Sequence, residues 1–174
     1  MRNLLLSITL LFFAYANGQL ENPFQLLKYD GAVMYDYEQA GENPSLIDGD
    51  GRIIKSVHVK KQIQLEKATI DELAVKLCSK SSFGNSHADC FEPHLGIVYY
   101  WHDKAVADIL ICMDCNRLSS SIHLPDQRQG QNGSGQNLYY LADGMSKSFR
   151  KFLNTLLIKY DFSHQAKPRS QFDK

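Results

Sequence analysis

An α+β domain is predicted, with a mainly antiparallel sheet and two main helices packed on one side of it. Three observations point there. The elements come in the order strands, helix, strands, helix, not in strand–helix alternation. The runs LGIVYYW (95–101) and AVADILIC (105–112) are β-forming and separated only by HDK, which reads as an antiparallel hairpin. Near the end, Met145, Phe149, Phe152, Leu153, Leu156, Leu157 and Tyr160 recur at helical spacing and make an amphipathic stripe.

Taken in order, Asn22-Pro23 followed by FQLLKY predicts a short helix, with asparagine as cap and proline at the first helical position. AVMYDY (32–37) reads as a strand. The stretch 40–51 is turn chemistry of Gly, Asn, Pro and Asp. A second strand runs from about Ile53 to Leu65, long enough to carry a bend or bulge, with Val57 and Val59 on one face and His58 and Lys60 on a wet one. Thr69-Ile-Asp-Glu72 matches a capping box, which predicts a helix from Ile70 to about Ser79 with Ile70, Leu73, Ala74 and Leu77 on its apolar face.

If HDK is the hairpin loop, Trp101 faces Ala105, Leu95 faces Ile111 and His94 faces Cys112. That register puts Leu95, Ile97, Tyr99 and Trp101 on one face with Ala105, Ala107, Ile109 and Ile111. A loop one residue shorter would instead put Cys90 opposite Cys115 if pairing ran that far, which Pro93 opposes. SSIHL and NLYYLA are shorter strand candidates, and PDQRQGQNGSGQN between them, without an apolar residue, is expected to be a flexible loop. The last helix is expected over about Asp143 to Tyr160.

Arg2, the apolar run from Leu4 to Ala16 and the small residues Ala14, Ala16 and Gly18 predict a secretory signal peptide over 1–18, cleaved before Asn17 or Gln19. The run is shorter than the roughly 20 residues of a membrane span, so no transmembrane segment is expected in the mature chain. What remains has the size of one domain, 19–162, followed by a polar tail, 163–174, expected to be disordered. Acids and bases balance at 19 each, without a clustered basic face, which argues against a nucleic-acid partner.

Chemistry concentrates in one place. Cys90, His94, Cys112 and Cys115 converge at the open end of the predicted hairpin, spaced Cys-x3-His and then Cys-x2-Cys. Three readings follow. In an oxidising compartment Cys90 makes a structural disulfide with one member of the pair, Cys112 or Cys115, and the remaining thiol is bonded to Cys78 or buried as a small hydrophobe. A tetrahedral zinc held by Cys90, His94, Cys112 and Cys115 is the second. Thiol–disulfide exchange with Cys112 as attacking thiolate is the third, though no helix N-terminus follows to lower its pKa, and Asp114 would raise it.

The run CFEPHLGIVYYW to VADILICMDC resembles a pattern in uncharacterised secreted proteins of bacteria: Cys, aromatic, any residue, Pro, a basic residue, an Ile with aromatics, then a strand ending Ile-Cys-x-x-Cys. The likeness spans Cys90 to Cys115. It implies that Cys90, Pro93, Cys112 and Cys115 belong to one unit, and no activity travels with it. Cys78 falls outside, and Leu95 stands where a second basic residue would be expected.

Other motifs point elsewhere. Asp48 and Asp50 in DGDG lack the closing Glu of a calcium loop and read as a turn. His58, His87, His102, His123 and His164 are scattered, and neither a Gly-x-Ser-x-Gly elbow nor a phosphate-binding glycine loop is present. Asn132-Gly-Ser134 is a glycosylation acceptor only in a eukaryotic host. The expectation is a secreted or periplasmic, non-enzymatic domain with a structural cysteine cluster, no cofactor, and an unknown protein or small ligand as partner. The alternative is a zinc-binding or thiol-active protein.

Overall fold

The computed structural model describes residues 22–39, 45–132, 139–165 and 171–172; the expected leader and most of the Asn132-Gly-Ser134 triplet lie outside them. Helix α1 (Pro23–Leu26) opens as its sequence predicts, with Asn22 Oδ1 accepting the Phe24 N–H at 3.0 Å. Strands β1 (Gly31–Gln39) and β2 (Val57–Gln64) pair antiparallel. Their register slips where Asp36 faces Lys61 but Tyr37 faces Val59, so Lys60 is the extra residue of a bulge in β2. Between them Asp48 Oδ1 accepts the N–H groups of Asp50 and Arg52, both at 2.9 Å, which closes the DGDG turn.

Helix α2 (Lys67–Leu77) starts earlier than the capping box predicts. Glu66 stands at its N-cap without a side-chain capping bond, and Thr69 is buried inside the first turn. Lys67 and Asp71, one turn apart and 2.8 Å from each other, support the added residues. The predicted apolar face is the buried one: Ile70, Leu73, Ala74 and Leu77. A 3₁₀ turn (Lys80–Ser82) leads into the short β3 (Phe83–Asn85).

The hairpin of β4 (Leu95–Trp101) and β5 (Lys104–Cys112) has the expected register over most of its length but a different tip. Leu95 faces Ile111, Ile97 faces Ile109 and Tyr99 faces Ala107, as predicted. At the end, however, Trp101 faces Lys104, because the turn has only two residues, His102 and Asp103, both in the left-handed region at φ 48° and 63°. That is a tight hairpin turn, whose backbone twist suits antiparallel strands. A bulge at Val106 restores the register, and it moves Ala105 to the sheet face opposite the one expected.

Strand β6 (Arg117–Ser120) precedes the predicted SSIHL, since the tight turn at 113–116 folds the chain straight back on β5. Part of the expected flexible loop is also ordered: β7 (Gln129–Asn132) pairs with β8 (Tyr139–Ala142). It needs no apolar residue, because Arg128 grips Asp143 at 2.8 Å and buried Gln127 donates to the carbonyls of Leu118 and Asp143, holding the start of the ribbon in register. After β9 (Gly144–Met145), helix α3 (Lys147–Lys159) begins at Ser146, whose hydroxyl accepts the Phe149 N–H.

The main sheet has the order β2-β1-β4-β5-β6, every pair antiparallel. Both long helices lie on one face, which buries Met34, Ile97, Tyr99, Ile109 and Ile111 against Leu73, Leu77, Phe149, Leu153 and Leu157. The other face carries a smaller cluster of Tyr35, Tyr37, Leu46, Val57, Val98 and Leu110. Burial on both faces explains why the central strands read as continuous apolar runs.

Candidate functional site

The cysteine site lies where the segment before β4 meets the β5–β6 turn. Cys90 and Cys115 are bridged, 25 residues apart with Cα atoms 6.0 Å from each other. Hydrogen bonds hold the same two segments together. Ala88 N–H donates to the Cys115 carbonyl at 2.9 Å, and Arg117 Nη1 donates to the carbonyls of Asp89 and Cys90 at 2.9 and 3.3 Å. The Arg117 guanidinium also lies 5.3 Å from the centroid of the Phe91 ring.

Of the four disulfide candidates, Cys78 and Cys112 are free thiols. Cys112 is 2 % exposed and its sulfur accepts the Cys115 N–H at 3.2 Å. Burial pushes its pKa up, against the lowering effect of N–H groups from Glu92 and Cys115. Cys78 sits apart at the end of α2, facing Asn22 Oδ1 at 3.4 Å, and burial with some help from Asp126 pushes its pKa up to about 11.

Of the four predicted zinc ligands, Cys90, Cys112 and Cys115 gather at the β5–β6 turn, and His94 does not join them. The sulfurs of Cys90 and Cys115 are joined, and His94 turns to another partner: its Nδ1 is 3.2 Å from the Tyr37 carbonyl. Among the described residues no group of three or more His, Cys, Asp or Glu side chains is arranged to hold a metal ion. His94 misses Cys112 because β4 stops pairing with β5 at Leu95, and the chain before it turns toward β1.

His94 belongs instead to a second constellation. Its ring stacks on His164, centroids 4.1 Å apart and planes within 7°. His164 Nδ1 lies 3.1 Å from Asp36 Oδ1, while Asp36 Oδ2 accepts the Ser163 N–H at 2.6 Å and the Ser163 hydroxyl at 2.8 Å. The start of the expected tail is thus fastened to β1, and farther on Phe172 is buried with its carbonyl accepting from Asn85. Ser163, His164 and Asp36 do not form a nucleophilic relay, which requires serine and aspartate on opposite ring nitrogens. Here Ser163 Oγ and Asp36 both approach Nδ1. The one local hint of this clasp is a carboxylate in the middle of AVMYDY.

Two buried aspartates titrate in opposite directions. Burial raises the pKa of Asp36, but the bonds from Ser163 and His164 together outweigh it and hold the carboxyl below its usual value. Asp108 is raised, because burial beside β6 exceeds the help of Ser121 and its own N–H. A depressed carboxyl stabilises the fold above its unfolded pKa, and that contribution is lost as pH falls through the folded value. A raised carboxyl stabilises at low pH and loses that contribution as pH climbs from the unfolded to the folded pKa. Asp36→Asn should therefore cost about 2 kcal/mol at pH 7, the worth of charge-assisted hydrogen bonds, and Asp108→Asn should stabilise or leave stability unchanged there. Both differences should shrink in urea titrations at pH 3; curves parallel to wild type across that range would refute the assignment.

No protein-family model, curated protein sequence or solved structure matches the chain.

Proposed function

We propose that this chain is an exported binding domain, secreted or periplasmic, whose Cys90–Cys115 bridge is a structural staple and whose partner is a protein or small ligand. The bridge supports the structural role of the cysteines. It joins segments that already share three hydrogen bonds, which is where a cross-link constrains the unfolded chain without reshaping the folded one. No helix among the described residues is long and apolar enough to cross a membrane.

The test is a thiol count on protein isolated without reductant, together with metal analysis and N-terminal sequencing. Two reactive thiols after unfolding, four after reduction, no bound zinc, and a chain starting at Asn17 or Gln19 are expected. Reduction should lower stability by about 3 kcal/mol for a loop of this length. Four free thiols with one equivalent of zinc would replace this reading with the metal one, and an intact leader on cytoplasmic protein would remove the exported compartment.

A further inference from the structure

The bridge leaves a third sulfur beside it. Cys112 Sγ lies 3.2 Å from the amide nitrogen of Cys115, and a cysteine's own sulfur lies within about 4 Å of its amide nitrogen. The two sulfurs are therefore at most about 7 Å apart, on residues only three positions apart in one turn. The Cys112 sulfur accepts from the N–H groups of Cys115 and of Glu92, which stands two residues after Cys90. Exposure is uneven across the three: Cys112 and Cys115 are each 2 % exposed, whereas Cys90 is exposed.

We infer that the bridge can pass from Cys90–Cys115 to Cys112–Cys115, which makes Cys90 a surface site for thiol–disulfide exchange with small disulfides. The inference rests on the bridged, exported form proposed above. Cys112 loses its proton to solvent and its thiolate attacks Cys115 Sγ. The Cys112–Cys115 bond forms as the Cys115–Cys90 bond breaks, and Cys90 leaves as a thiolate, so nothing is oxidised or reduced overall. In a second step that thiolate attacks a small disulfide such as oxidised glutathione; a mixed disulfide forms on Cys90 and one glutathione thiolate departs.

The fold favours Cys90 as the leaving end. Its sulfur is released into water, which stabilises the departing thiolate, and its segment stays in place through Ala88 and Arg117. Burial raises the Cys112 thiol, so the step is slow at neutral pH. Its rate should climb about tenfold per pH unit while the thiolate remains the minor form.

The test alkylates native, unreduced protein between pH 7 and 9.5, with and without oxidised glutathione, and maps linked peptides by mass spectrometry without reduction. Expected are label or glutathione on Cys90 and a Cys112–Cys115 linkage, both growing with time and pH. Cys112→Ser should keep Cys90 bridged and unlabelled, while Cys78→Ser should behave as wild type. If Cys112→Ser fails to fold, the wild-type map decides alone by the presence or absence of the Cys112–Cys115 linkage. An intact Cys90–Cys115 bridge with Cys90 unlabelled throughout overturns the exchange and leaves the staple standing. Equal labelling of Cys90 in Cys112→Ser also overturns the exchange. Four thiols free at isolation overturn the staple and the exchange together.

Discussion

Replacing Phe149 with alanine is expected to lower the free energy of unfolding by about 3 to 5 kcal/mol, the range for deleting a fully buried phenylalanine side chain. Phe149 is 1 % exposed and sits edge-on to Phe83, 5.9 Å between centroids, with Phe152 stacked behind it at 6.3 Å. The side chain thus joins α3 to β3. Phe152 lies on the same stripe but is only partly buried, with the Lys76 ammonium 5.7 Å from its ring centroid. Phe152→Ala should therefore cost roughly half as much. Urea unfolding followed by circular dichroism would measure both, and a loss below about 1 kcal/mol for Phe149→Ala would mean that α3 does not pack on the sheet as described.

Asn116→Ala is expected to cost about 3 kcal/mol or more, from two separable causes. Asn116 is fully buried with φ at +54°, a conformation that costs alanine about 1 to 2 kcal/mol. Its side chain also joins three elements: Nδ2 donates to the carbonyls of Ser86 at 2.7 Å and Met145 at 3.0 Å, and Oδ1 accepts from buried Arg150 at 2.9 Å. Leaving those buried groups short of a partner costs about 1 to 3 kcal/mol more. Asn116→Gly keeps the backbone conformation and loses only the bonds, so it should recover about 1 kcal/mol relative to alanine. Equal losses in the two variants would assign the whole effect to the hydrogen bonds.

Local patterns account for much of this fold. Alternation marks β2, the spacing of Leu73, Leu77, Phe149 and Leu153 marks the two helices, and their apolar faces are the buried ones. Errors arose where two local signals competed or where apolar content stood in for pairing. Thr69 carries a capping pattern, yet it lies buried in the first turn of a helix that starts at Lys67. His102-Asp103 lacks the glycine that usually announces a two-residue hairpin turn, so the bulge at Val106 left no trace in the residues. The strand β7 holds no apolar residue and pairs all the same.

Of the cysteine site, the nearness of Cys90 to the Cys-x-x-Cys turn was legible from the hairpin, while the choice of Cys115 over Cys112 depends on how the turn at 113–116 folds back. The Asp36 clasp was not legible at all. Its partners stand 127 and 128 positions away, beyond any periodic pattern, and His94 entered only as a presumed zinc ligand.

The strand order also bears on how copies of the chain behave at high concentration. LGIVYYW and AVADILIC are the segments best suited to stacking into fibrils, being β-forming, apolar and free of proline. Both are interior strands of the main sheet, paired on either side. The outermost strands are the four-residue β6 and the polar β2, where His58, Lys60, Gln62 and Gln64 are exposed. Lysine there sets one copy against another if two edges approach. Resistance to amyloid-like association is thus tied to keeping β4 and β5 enclosed, and a variant that loosens α3 would release the hazard these outer strands hold in check.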